Sequence, residues 1–142
     1  MALDRMRNDR FLCTVSVDGI GPLPDPFDTF TGADTDSTET KYRPGGMSPE
    51  VSLGGATSTA NAVVGRNYAL GRDDVLMPKL RAAAGKRAAT ITLQPLDADR
   101  NAFGQSEVYR GVLQRVQGPQ HDSTSTDAAM MELEVNLSGT VA

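Results

Sequence analysis

Apolar and polar positions alternate with a period of two through most of the chain, and one stretch keeps a helical period instead. In Arg10–Val17, Phe11, Cys13, Val15 and Val17 alternate with Leu12, Thr14 and Ser16, which predicts a half-buried strand with Cys13 on its inner side. Asp18-Gly19 closes it with a turn, and a Gly/Pro linker over 20–26 leads to a second short strand at Phe27–Phe30. Further strands are predicted at Asn61–Leu70, with Gly65 as a bulge or bend, and at Ala88–Leu96. Asp97–Gly104 is a turn-rich connection to Glu107–Gln117. That long strand alternates without a break, with Val108, Arg110, Val112, Gln114 and Val116 against Tyr109, Leu113 and Arg115. Met130–Leu137 is the last strand. The helical stretch follows Asp73, read as its N-cap, with Asp74 at the positive end of the dipole and Pro78 near the first turn. Val75, Leu76, Leu80 and Ala83 or Ala84 form its apolar stripe, and Gly85 ends it beside Arg81, Lys86 and Arg87. A helix of this kind covers one open end or one face of a sheet. The expected fold is mainly β: two packed antiparallel sheets, as a sandwich or small barrel, with one short helix.

Glu39–Gly55 breaks this pattern. Before it, Gly32–Tyr42 would carry Asp34, Asp36, Thr38 and Thr40 on one strand face and Thr35, Ser37, Glu39 and Lys41 on the other. Neither face suits an ordinary core, since unpaired buried polar groups cost about 2–7 kcal/mol each. Two readings stay open: a solvated loop, or a threonine-rich strand with one side in water and the other on a polar subunit contact. Arg43-Pro44-Gly45-Gly46 must bend, Pro49 blocks regular pairing, and Val51–Leu53 begins a new strand. Gly54-Gly55 fits a bulge or a close strand approach.

Composition sharpens the picture. At 142 residues the chain fits a single domain, and 39 % apolar residues with no Trp leave either much loop or a thin core that other subunits complete. A net charge of −4 and a pI near 4.9 argue against nonspecific binding to nucleic acid or anionic lipid. One cysteine permits no internal disulfide and fits synthesis in a reducing cytoplasm. Residues 1–9 form a charged arm without the apolar core of a signal peptide. A calcium loop starting at Asp34 fails, because Glu39 stands where glycine is required and Gly45 where the last carboxylate belongs. Gly85-Lys86 fails as a phosphate loop, with Leu80 in place of the first glycine and Arg87 in place of Ser/Thr. His121 sits in a polar loop with no acid–nucleophile pair. The expectation is a protein with no catalytic site, metal or cofactor.

The order of FLCTVSVDGI, FDTFTG, ETKYRPGGM, the LGG strand, VVGRNYALGRDD, VYRGVLQRV and ELEVNLSG resembles the bacteriophage tail-tube proteins, from about Arg10 to about Gly139. KYRPGGM followed by LGG is its most specific part. Members share their fold with tubes of contractile injection machines and type VI secretion. The resemblance implies hexameric rings stacked into a hollow tube through which the genome, or effectors in the relatives, passes without specific binding. It also implies tape-measure, baseplate and terminator partners, and a place in a virion tail assembled in the bacterial cytoplasm. The loop role in contacting neighbouring subunits and the next ring falls on Thr40, Lys41, Tyr42, Arg43, Pro44, Gly45, Gly46, Met47, Ser48 and Pro49. Met47-Ser48-Pro49 replaces a more basic run of the contractile-tail relatives. Asp34, Asp36 and Glu39 are then expected at the lumen or at a subunit contact, where an acidic wall would repel passing phosphates. A competing reading is a small β-sandwich that binds a host surface or another virion component through its loops.

Overall fold

The computed structural model describes residues 7–42, 45, 49 and 51–137, and the backbone alone for 37–41 and 51–57. Its elements in order are β1 (Phe11–Val17), β2 (Gly21–Pro22), β3 (Thr29–Gly32), β4 (Thr35–Tyr42), β5 (Val51–Thr59), β6 (Ala62–Asn67), helix α1 (Asp73–Ala83), β7 (Ala88–Pro95), β8 (Glu107–Gln117) and β9 (Met130–Asn136). The fold is mainly β with one short helix, as the alternation predicts. Seven strands make one sheet in the order β2-β1-β7-β8-β9-β6-β3, and among the described residues β4 pairs only with β5.

The large sheet curls until its ends meet. The Leu23 and Phe27 N–H groups donate to the Val15 and Cys13 carbonyls, at 2.9 and 2.8 Å, and Asp28 N–H donates to Gly65 O. Residues 21–32 thus cross from the edge of β1 to the edge of β6 and close the wall into a barrel. The expected sandwich or small barrel is therefore found, with opposite walls of the large sheet packed face to face. The second sheet, β4 with β5, has no substantial contact with the barrel strands among the described residues.

Inside the wall, Cys13, Val15, Val17, Val64, Ile91, Leu113, Leu133 and Val135 are buried. The alternation of β1 and β9 places those residues inward, as the sequence indicates. β8 departs from its unbroken pattern. Its pairing with β9 slips between Leu113 and Arg115, and this bulge turns Val116 toward the core on the same side as Leu113. Gly111 belongs to the same strand for a steric reason: a Cβ there would come within 2.1 Å of the Asn136 carbonyl oxygen.

α1 plugs one end of the barrel with Met77, Leu80 and Ala83. The stripe is shifted from the expected one, since Val75 faces out and Met77 takes its place. Pro78 lies in the second turn, and Arg72, not Asp73, is the N-cap. Gly85 does end the helix, in the left-handed region at φ +77°. At the other end, residues 7–10 rest on the turn after β7, where Leu96 N–H donates to Arg10 O. Arg100 lies 3.8 Å from Asp9 there, and residues 1–6 of the expected arm lie outside the described part.

Candidate functional site

β3 and β6 form the last ladder of the barrel, with Thr29 opposite Gly65 and Gly32 opposite Ala62. The same register continues into β4 and β5, where Thr35 faces Thr59 and Ser37 faces Thr57. The four strands are one long hairpin with its root in the barrel wall and its outer half beyond it. The exit is marked by Gly32, at φ +92°, where a Cβ would lie 2.0 Å from Asn61 O, and by Ala33 at φ +60°. Past it, Ala60 N–H donates to Asp34 O and the ladder resumes. A register slip then sets Glu39 opposite Gly54, leaving Gly55 and Ala56 opposite Thr38 alone. The Gly54-Gly55 pair is thus at a bulge, as its composition indicates.

Among the described residues, β4 and β5 have no substantial packing on any element except each other. An eight-residue strand spans about 26 Å. The hairpin therefore reaches out from the barrel, with both outer edges unpaired among the described residues. A solitary two-stranded hairpin is marginal in water, and unpaired edges invite another chain. This decides the open reading of Gly32–Tyr42 in favour of a strand.

The expected contact residues fall on the tip. Thr40 pairs with Leu53, Lys41 with Ser52 and Tyr42 with Val51. Tyr42, Gly45 and Pro49 are exposed, while Arg43, Pro44, Gly46, Met47 and Ser48 lie outside the described residues. Asp34 and Asp36 are exposed near the root, and Glu39 is described by its backbone alone.

A buried ionic cluster holds the opposite end, and the sequence reading missed it. Arg66 sits on the inner side of β6, after Ala62 and Val64, and is 1 % exposed. Its guanidinium stacks 4.4 Å from the Phe27 ring and donates to the Asp73 carboxylate at 2.6 Å and to the Pro24 and Asp25 carbonyls. Asp73 also accepts from Arg72 and from the Ala69 N–H. Burial pushes the Asp73 carboxyl upward, but hydrogen bonds from Arg72, Ala69 and Arg66 outweigh it and hold the pKa below the ordinary 3.8. Arg72 in turn pairs with Asp25 at 3.0 Å. The cluster ties the helix start to the linker that closes the barrel. The signal available was a charged residue on the apolar side of an alternating strand.

Chemistry elsewhere is sparse. The Cys13 thiol is buried and pushed up to about 11 by desolvation, which disfavours the nucleophilic thiolate. Exposed His121 lies in the 118–129 loop, next to a shallow hollow of about 430 Å³ lined by Gln117, Asp122, Asp127 and Glu132. Among the described residues no three His, Cys, Asp or Glu side chains converge for a metal, and no helix is long and apolar enough to cross a membrane.

No family model and no curated protein matches the chain by sequence. Solved structures do match by shape. A chain of the sheath–tube complex of the extracellular contractile injection system PVC, in its extended state, superimposes with TM-score 0.65 at 18 % identity, covering 92 % of this chain and 86 % of that one. A chain of the anti-feeding prophage cap, which terminates the tube, gives TM-score 0.69 at 16 % identity, covering 96 % and 90 %. One from the PVC sheath/tube terminator gives 0.68 at 18 %, covering 95 % and 94 %. At these identities what is shared is the fold, and it is shared over nearly the full length of each chain.

Proposed function

We propose that this chain, built on the fold found in components of contractile injection systems, is a structural subunit of the tube of a phage tail or a phage-like injection system. It assembles with copies of itself into hexameric rings stacked as a hollow conduit, through which DNA or protein cargo moves without specific binding. One observation carries the reading. A hairpin whose outer half, among the described residues, has no substantial packing on other elements and no strand paired at either edge is unsuited to a solitary domain and well suited to a subunit that other copies complete. The same feature supports assembly over the competing binding-module reading, because a long strand pair offers backbone hydrogen bonds to a repeated partner. Tape-measure, baseplate and terminator proteins are the further partners in this proposal, and no part of it requires catalysis.

Negative-stain microscopy of the purified protein tests it. Rings of fixed diameter, or tubes built from them, are expected at high concentration. Dispersed monomers at every concentration and salt would overturn the proposal. Single or paired rings that never extend would assign the chain to a cap or terminator instead, the assemblies from which two of the similar chains come.

A further inference from the structure

The wall of the barrel is fastened unequally. β1 pairs with β7 along its full length from Phe11 to Val17, and β6 pairs with β9 from Ala62 to Asn67. Between β1 and β6 the wall is completed by residues 23–28, through the N–H groups of Leu23, Phe27 and Asp28. Pro24 and Pro26 have no N–H to add to that seam. Leu23 and Phe27 are buried anchors, and Pro24-Asp25-Pro26 between them is exposed. Asp25 is held at φ +62°, a left-handed conformation that side chains adopt at a cost. Charge holds this exposed stretch down. Arg66 donates to the Pro24 and Asp25 carbonyls, Arg72 donates to the Asp25 carboxylate, and both arginines converge on Asp73. The Arg66–Asp73 pair is sealed from water, but the Arg72 and Asp25 side chains are 23 % and 64 % exposed. Loosening therefore begins at Arg72–Asp25.

We infer that residues 23–28 are a strap across the barrel seam, latched by Arg66 and Arg72, that opens as a unit while the strand ladders stay closed. Opening breaks few backbone hydrogen bonds, withdraws two apolar anchors and relaxes Asp25, so it exposes far less surface than unfolding does. It also uncovers Cys13. Phe27 pairs directly opposite Cys13, which sets both side chains on the inner face, and the thiol is fully buried while the strap is closed. Access to the barrel interior is thereby a local event, governed by a partly exposed ion pair. The strap belongs to one subunit and goes beyond the assembly reading, which can fail without touching it.

Thiol labelling tests it, because Cys13 is the one cysteine in the sequence. The full chain is kept dispersed at low concentration and modified with dithiodipyridine across a urea series. Dividing the rate by that of the urea-unfolded chain gives the fraction of molecules with Cys13 uncovered. Well below the unfolding transition that fraction is expected to exceed the globally unfolded fraction by about a hundredfold or more, and to change little with urea. Two variants separate the strap from the rest of the barrel. Asp25→Asn tolerates the left-handed backbone but loses the charge that Arg72 holds, and it is expected to raise the native-state rate about two- to fivefold. Ile91→Val, in the buried centre of β7, is expected to lower the urea midpoint and leave the native-state rate unchanged, since its ladders stay closed when the strap opens. A labelling rate that follows global unfolding throughout the urea series would overturn the strap. So would a native-state rate that Ile91→Val raises and Asp25→Asn does not.

Discussion

The inner and outer halves of the long hairpin are paired in one register, yet they live in different environments. In the inner half, Ala62 and Val64 are buried and Phe30 packs against the core, with its ring stacked 5.5 Å from Tyr109. In the outer half Asp34, Thr35, Asp36 and Ser58 are exposed. Backbone pairing is common to both, so it is not what separates them. Side-chain burial is what the inner half shows, where a fully buried aliphatic side chain contributes about 1.5–3 kcal/mol. The barrel carries the buried core, and the outer half of the hairpin is the surface that the proposed assembly would cover.

That contrast can be broken most forcefully at the far end of the barrel. Arg66→Ala removes one partner of an ion pair whose side chains are 1 % and 0 % exposed, leaving Asp73 buried beside a single arginine. It should destabilise the fold by about 3–5 kcal/mol in chemical denaturation. A loss below about 1 kcal/mol would mean that the cluster is not what fastens the helix to the barrel seam. Leu133→Ala, in the fully buried centre of β9, is expected to cost about 2–5 kcal/mol by cavity formation.

Acid should act on the same cluster. The folded-state pKa of Asp73 lies below the ordinary 3.8, so its stabilisation is complete above that value and is lost as pH falls through the lower folded value. Melting temperature should therefore drop below about pH 4 and drop less steeply in Asp73→Asn, which has no carboxylate to protonate. Equal slopes in thermal melts would remove Asp73 as the linked group. The smallest effect belongs to the hairpin: Asp36→Ala should change stability by no more than about 0.5 kcal/mol, because its side chain is exposed. A larger loss in the dispersed subunit would show that the hairpin leans on its own barrel.

Residue patterns revealed much of the barrel and little of what lies beyond it. β8 has the bounds that its alternation indicates, and β1 and β9 are within one residue, because a strand with one buried side writes its period into the sequence. Within β8 the bulge before Arg115 left no mark, since Gln114 and Arg115 are both polar and the slip reads as continued alternation. Val75 and Met77 both fit a 3.6-residue period with Leu80, and only the barrel end selects Met77. The polar strand β4 has hydrophilic residues on either face, so its period could not tell loop from strand, and its pairing with β5 depends on a register set in the barrel. Arg66 and Asp73 were legible only as a charge on an apolar face and an acid before a helix, seven positions apart.

Hydrogen–deuterium exchange across assembly tests the central claim most directly. In the dispersed subunit, kept at low concentration, the amides of Thr35–Tyr42 and Val51–Thr59 should exchange orders of magnitude faster than those of β1, β7 and β9. In the assembled wild-type protein they should become as protected as the barrel strands. Hairpin amides already protected to the barrel's level in the dispersed subunit would contradict the account.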